Sequence, residues 1–412
     1  MKRLIIFLTL PLFICSCGNR TVKNNLKSDT MSKDSLNQYD YNIALLRKSV
    51  EVIELKKGRS AVALVPAWQG RVMTSSADGE KGFSFGWINH GLIASGKILP
   101  HMNAFGGEER LWLGPEGGQF SIFFKKGDPF VFDKWQVPSW LDTQAFDVVS
   151  KTDTSVVFAS DTVAVNYSGT RMEFRIEREV SLMSGSDLLR DQGIDVNGLE
   201  YVAYRSVNKL INRGNEEWTR KGGLLSIWML GMFNPSPSVV VVIPFNQGDE
   251  KKMGPVVNDS YFGKISPDRL KVSGNHIFFK ADGKSRGKLG LPQLRTKGIL
   301  GSYDAANNIL TLLFCTLPAE KKDYVNSAWE IQKDPFSGDA VNSYNDGPLA
   351  DGSQMGPFYE IETSSPAAAL KPGENIEHKQ VTCHLTGDKA LLDKISVSVL
   401  GVGLSEIENA FK

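Results

Sequence analysis

RMEFRIEREVSL, residues Arg171 to Leu182, alternates strictly. Met172, Phe174 and Ile176 fall on one side of an extended chain; Arg171, Glu173, Arg175 and Glu177 fall on the other. An apolar face backed by a charged one is the pattern of an antiparallel strand with its outer side in water. Neighbouring stretches repeat it at intervals of about eight to ten residues, with turn residues between. Before it come Phe146 to Ser150, Ser155 to Ser160 and Val163 to Tyr167; beyond this spaced series Tyr201 to Leu210 is another alternating run, ending at the turn Asn212-Arg213-Gly214-Asn215. That spacing predicts an antiparallel sandwich.

Outward from this core the pattern persists. Ser60 to Pro66, Val72 to Ser75 and Gly86 to Leu92 read as early strands. Phe120 to Phe124 and Phe130 to Phe132 read as a hairpin around Lys126-Gly127-Asp128. Ile227 to Met232, Ser238 to Pro244, Ile277 to Lys280, Gly298 to Tyr303 and Ile309 to Thr316 continue the series. Ser238 to Pro244 is almost unbroken aliphatic, which predicts a central strand buried on both faces. Tyr41 to Glu54 has helical spacing, as do Asp388 to Lys394 and Leu404 to Phe411. No internal repeat or composition boundary divides the middle. The expectation is all-β: one large antiparallel β-sandwich over 41–387, short helices near both ends, and a helical tail over 388–412.

The 412 residues carry a formal net charge of +1, with 41% apolar and 10% aromatic residues. That supports a sizeable core and gives no electrostatic case for a nucleic-acid partner. Lys2 and Arg3 precede an apolar run from Leu4 to Ile14. The run is too short to span a bilayer and suits a signal peptide. Ile14-Cys15-Ser16-Cys17-Gly18 resembles a bacterial lipobox, so 1–17 is expected to be a lipoprotein signal. Cys17 would be the lipidated residue, since small Ser16 precedes it; an ordinary secretory peptide is the alternative. The polar stretch 18–40 reads as a flexible tether. The expected location is the cell envelope, attached to a membrane through the N-terminal lipid. Cys315 and Cys383 are the cysteines beyond the signal; a buried free pair and a disulfide between them both fit. Neither a CxxC nor an HExxH motif is present, so no metal or cofactor is expected.

Two stretches carry chemistry. HMNAFGGEERLWLGPEGGQF, His101 to Phe120, brackets an alternating core between glycines. Alternation puts Glu108, Arg110 and Trp112 on one face and Glu109, Leu111 and Leu113 on the other. Indole, guanidinium and carboxylate together suit a sugar: Trp stacks on the ring while Arg and Glu bond hydroxyls. The competing reading is a Glu108–Arg110 ion pair on a solvated sheet face. Glu116 lies eight residues beyond Glu108, about 26 Å along a straight strand, so it joins the same site only if the chain turns at Gly114-Pro115. The second stretch runs from NSYNDGP, with Asn345 and Asp346, to YEIETSSPAAALKPGE. There Glu360 and Glu362 share a strand face, about 6.6 Å apart at the backbone. Both project the same way, so they do not flank a bond as a glycosidase pair does. Either one suits a general base, and a solvated face is the alternative for both. His101 is the histidine nearest the first stretch and the preferred proton donor.

FRIEREVSL (174–182), YRSVNKLINRGNEEW (204–218), YEIETSSPAAALKPGE (359–374) and GGEERLWLGPE (106–116) together resemble segments of the galactose mutarotase-like superfamily. Within it the chain looks most similar to an uncharacterised family of Bacteroides-type lipoproteins. The resemblance implies a β-supersandwich and sugar handling, possessing either epimerase-like proton transfer at the anomeric carbon or carbohydrate binding without turnover. By position, Glu362 or Glu360 would match the base of aldose epimerases, and Arg110, Glu108 and Trp112 would position the ring. Those enzymes also use a His from an N-H-x-Y-F-N segment. Here the matching stretch has Asn208 and Asn212 and no His, which leaves His101 to supply the acid. A structural envelope lipoprotein with merely solvated polar faces is the reading from a different class.

Overall fold

The computed structural model describes residues 36–412. The expected signal peptide, the lipidation candidate Cys17 and the expected tether as far as residue 35 lie outside the described residues. Among the described residues there are eighteen strands. They are β1 (Ile53–Lys57), β2 (Ser60–Val65), β3 (Arg71–Ser76), β4 (Arg110–Gly114), β5 (Asp147–Lys151), β6 (Ser155–Val165), β7 (Arg171–Leu182), β8 (Leu199–Asn212) and β9 (Ser226–Phe233). The second half adds β10 (Val239–Pro244), β11 (Leu270–Ser273), β12 (His276–Lys280), β13 (Gly287–Leu291), β14 (Ile299–Asp304), β15 (Ile309–Cys315), β16 (Val341–Asn345), β17 (Tyr359–Ser364) and β18 (Asn375–Gly387).

Three sheets result: β1-β2-β3; a ten-stranded sheet ordered β11-β12-β10-β14-β15-β18-β8-β7-β6-β5; and a five-stranded sheet ordered β13-β16-β17-β9-β4. Every ladder between them is antiparallel. The architecture is therefore an all-β, large antiparallel supersandwich with short helices near both ends.

The period of two decides how the layers close. On β10, Val239, Val241 and Ile243 meet Tyr359 and Ile361 of β17 and Leu289 and Leu291 of β13, joining the two larger sheets. Val240 and Val242 point the other way, against Leu392, Ile395 and Leu404 of the C-terminal helices. Burial on both faces explains the aliphatic run, each side chain contributing roughly 1.5–3 kcal/mol. The helix Lys389–Leu400 starts where the Asp388 carboxylate accepts from the Ala390 and Leu391 amides and stops at left-handed Gly401. At the far edge of the large sheet, β5 is exposed throughout, and a bulge between Val148 and Ser150 breaks its pairing with β6.

Some expectations fail for local reasons. The N-terminal helix is Tyr39–Arg47, not 41–54, and it begins inside the stretch read as tether. Val52 and Ile53 already lead into β1, where β-branched residues favour extension. Residues 86–92 are not a strand. The Asn89 side chain caps a helix over His90–Ser95 by accepting from the Leu92 amide. The hairpin at 120–132 is absent: Ile122, Phe123 and Phe124 are all buried, leaving no wet face for alternate side chains. Cys315 and Cys383 are both free thiols, and burial pushes each up to about 12.

Candidate functional site

Residues paired across an antiparallel ladder project from the same face. Glu360 pairs with Met232 and Tyr344, and Tyr344 with Lys288. Glu362 pairs with Leu230 and Asn342, and Leu230 with Arg110; Trp228 pairs with Trp112. The face of the five-stranded sheet turned away from the large sheet thus gathers Arg110, Trp112, Trp228, Lys288, Asn342, Tyr344, Glu360 and Glu362. The opposite face carries Leu111, Leu113, Tyr359 and Ile361 into the core. The early and late acidic stretches therefore meet, but this face is no solvated surface. Glu362 is fully buried, and Glu360, Arg110 and Trp112 are each under a tenth exposed.

Two ion pairs organise it. Arg110 Nη2 donates to Glu360 Oε1 at 2.5 Å. Lys288 Nζ donates to Glu362 Oε2 at 2.8 Å, and Trp228 Nε1 donates to the same oxygen at 2.8 Å. Each cation also lies on an indole: Arg110 is 5.1 Å from the Trp112 ring centre and Lys288 4.8 Å from that of Trp228. The two indoles meet edge to face at 5.6 Å. Beyond the strand end at Gly114 the chain turns, and half-buried Glu116 lies within the fields of Lys288 and Glu362. Asp339 accepts from the Tyr261 hydroxyl and, at 3.2 Å, from Asn258 Nδ2.

Lost hydration dominates the electrostatics. It pushes Glu360 up to about 7, against the pull of Arg110 and with Glu362 adding to the rise. Burial likewise takes Glu116 to about 7 and Asp339 to about 6. For Lys288 burial works downward, but Glu362, Glu116 and Glu360 outweigh it and the ammonium is held above its ordinary value.

Four buried polar atoms of this face have no hydrogen-bond partner: Arg110 Nε, Trp112 Nε1, Ser226 Oγ and Glu362 Oε1. A polar group left unmade in a dry site costs about 1–3 kcal/mol. The free space is a cleft of about 30 Å³ lined by Ser226, Trp228, Tyr261, Lys288, Asp339 and Asn342. It has room for about two water molecules, not for a ring. Its cover is the segment 318–338, which contributes Val325 and Ser327 to the lining. That segment contains no helix or strand and is clipped down by reciprocal bonds between Gln119 and Gln332.

The other expected site residues divide. Glu108 does not share the face of Arg110. Regular pairing with β9 starts only at Arg110, and Gly106 and Gly107 have positive φ. The twist before the strand turns Glu108 into the sandwich, where its Oε1 meets His384 Nε2 at 2.9 Å and Ser75 Oγ at 2.8 Å. Asn345 is also on the inner face, opposite Tyr359, and its amide is used by the Gly283 amide and the Ser285 carbonyl. Asp346 stays on the cleft side, accepting from Tyr344 Oη at 2.7 Å and the Gly356 amide at 3.1 Å. His101 Nδ1 lies 2.6 Å from the Trp135 carbonyl oxygen, and its ring packs on Phe132. It bonds to neither Glu360 nor Glu362.

Sequence reasoning missed Lys288, Trp228, Tyr261 and Asp339. Lys288 was legible in part, since Lys288-Leu289-Gly290-Leu291 alternates; Tyr261 and Asp339 sit in irregular segments with no periodic signal. Among the described residues no group of three or more His, Cys, Asp or Glu is placed to hold a metal ion.

The profile of a family of unknown function (DUF6786) matches residues 37–411. No curated protein matches the sequence. A galactose mutarotase-like protein from Lactobacillus casei ATCC 334 is similar in structure, with 12% identity and a TM-score of 0.48, over 81% of this chain and 100% of that one. A galactose mutarotase related enzyme from Lactobacillus acidophilus gives 10% identity and a TM-score of 0.44, over 81% and 97%.

Proposed function

This chain belongs to that family of unknown function, DUF6786, and for it we propose carbohydrate binding in the cleft over the five-stranded sheet. The observation that carries the reading is the set of orphaned polar atoms on an indole-walled, buried face. Trp112 and Trp228 offer flat apolar surface; Arg110 Nε, the indole N–H of Trp112 and Ser226 Oγ offer bonds to ring hydroxyls. Buried polar atoms are satisfied in the large majority of cases, and here several without a partner gather on one face. A ring enters when the segment 318–338 lifts, which exchanges the Gln119–Gln332 clip for bonds to the ligand. Glycan-array binding tests this directly. Binding that is lost in Trp228→Ala, with the fold intact by circular dichroism, supports the cleft; an array on which no glycan binds removes the reading.

Proton transfer at an anomeric carbon is a second reading, favoured by one specific feature. Glu362 Oε1 is a buried carboxylate oxygen with no donor, the open acceptor a general base needs. Since His101 is engaged by the Trp135 carbonyl, the acid falls to Glu360, whose carboxyl burial raises to about 7. An NMR assay of anomer exchange on a bound sugar separates the readings. Loss of exchange by about a hundredfold in Glu362→Gln, with binding kept, supports catalysis; unchanged exchange leaves binding alone.

We further propose that the chain is held to a bacterial envelope membrane through lipid on Cys17, on the strength of the lipobox-like sequence. Fatty-acid labelling that survives in wild type and disappears in Cys17→Ser tests it.

A further inference from the structure

The sheet face that carries the cleft continues past it. Tyr261 and Lys288 line the cleft, with the Lys288 ammonium 5.6 Å from the centre of the Tyr261 ring. Tyr344 pairs with Lys288 across the ladder. Against Tyr344 stands Phe262, the residue after Tyr261, with ring centres 5.9 Å apart and edge to face. The Arg286 guanidinium lies 3.8 Å from the centre of the Phe262 ring. Arg286 precedes Lys288 by two residues, so it keeps the same parity about 6.6 Å further along the chain. Phe262 and Arg286 thus form a step at the rim, one ring beyond the cleft.

Both residues of the step face outward. Phe262 is 49% exposed, although burying such a side chain is worth roughly 1.5–3 kcal/mol. Arg286 is exposed, and among the described residues it makes no ion pair. Other cations in this part of the fold do: Arg269 with Asp282, Arg110 with Glu360 and Lys288 with Glu362. Asp346, on the same side of the sheet, is buried and accepts from Tyr344 Oη and the Gly356 amide.

We infer that the ligand is an acidic oligosaccharide: one ring enters the cleft, and the next rests on Phe262 and turns a carboxylate or a sulfate to Arg286. The inference rests on the carbohydrate reading above and deepens it. A half-exposed aromatic ring offers apolar surface to the C–H face of a sugar. The guanidinium presents a planar fork of N–H donors that matches two oxygens of an anionic group. Its stacking on Phe262 holds that fork in place before the ligand arrives, which lowers the entropy lost on binding. The cations inside the cleft already have carboxylate partners, so the charge of the ligand is read at the rim.

The test is a glycan array that carries neutral oligosaccharides beside their uronate and sulfated counterparts, titrated with the full chain and with Arg286→Ala. The wild type is expected to bind acidic members at least about tenfold more tightly than their neutral parents, about 1.4 kcal/mol. The arm that shows the preference, uronate or sulfate, identifies the anion. In Arg286→Ala the preference is expected to vanish while neutral parents bind as before, and Phe262→Ala should weaken both kinds together. Circular dichroism checks that each variant keeps the fold. Neutral glycans bound as tightly as acidic ones, or a preference that survives in Arg286→Ala, overturn this inference and leave carbohydrate binding in place. An array on which no glycan binds removes both.

Discussion

Arg178 and Glu109 form an ion pair of 2.7 Å between the two larger sheets, with neither side chain exposed at all. Glu109 Oε2 also accepts from Gln380 Nε2 at 2.7 Å; Arg178 donates to Asn208 Oδ1 at 2.7 Å and to the Gly70 carbonyl at 3.1 Å. Breaking such a pair strands a charge in a dry interior. Arg178→Met is expected to cost about 3–5 kcal/mol. The double variant Arg178→Met/Glu109→Leu should lose less than the sum of the two single changes, because no lone charge remains. Denaturant unfolding of the four proteins in the cycle measures this, and strict additivity would contradict it.

Glu116 gives stability a pH slope of definite sign. Its folded carboxyl stands at about 7, above an ordinary 4.5, so the native state holds the proton longer than the unfolded chain does. Stability from this group is complete below about 4.5 and is lost as pH rises towards 7. Glu116→Gln removes the loss. Relative to wild type, the variant should gain roughly 2 kcal/mol between pH 5 and pH 8. Urea midpoints at the two pH values decide the matter. A wild-type slope that is unchanged in the variant would show that Glu116 is ordinary.

His378 works in the opposite direction. Burial lowers its imidazole from 6.5 to about 4, and its Nε2 lies 2.8 Å from the Thr363 hydroxyl. Neutral His378 is compatible with the fold, so its contribution is whole above 6.5 and drains away as pH falls towards 4. His378→Gln should flatten this acid limb by up to about 3 kcal/mol. Thermal melts between pH 4 and 7 would reveal it, and an acid limb as steep in the variant as in wild type would rule the role out.

Gly106 sets how the chain enters β4. Its φ is +95°, and a Cβ there would stand 2.1 Å from the Trp87 carbonyl oxygen. Gly106→Ala therefore combines a strained backbone with a clash against main chain, and a loss of about 2–4 kcal/mol is expected. Gly58 serves as the control. It too has positive φ, but a Cβ there meets nothing within 4 Å, so its alanine variant should lose only about 1 kcal/mol.

Wherever side chains alternate against a single core, the fold was legible. Phe174, Ile176 and Val180 are buried as the pattern required, and Val239 to Ile243 is central because its residues feed two layers. The same pattern placed Glu360 and Glu362 together. It also put Arg178 on the inward face, a signal that charge alone made easy to overlook. What failed depended on contacts made far along the chain. Alternation carried Glu108 onto the Arg110 face because nothing local announces where pairing begins. Its true partner, His384, lies 276 positions away and stacks on Phe85 with ring centres 4.2 Å apart. The aromatics of 120–132 looked like a hairpin because their neighbours Trp112 and Trp329 come from elsewhere.

The bulge in β5 has a consequence for how the protein behaves when concentrated. With Val148 43% and Val149 58% exposed, an unbroken margin there would be an adhesive template for a second molecule to extend the sheet. The irregularity between Val148 and Ser150 spoils that template by leaving donors and acceptors out of step. Deleting Val149 would straighten the margin, and light scattering should then report self-association at concentrations where the natural protein stays dispersed.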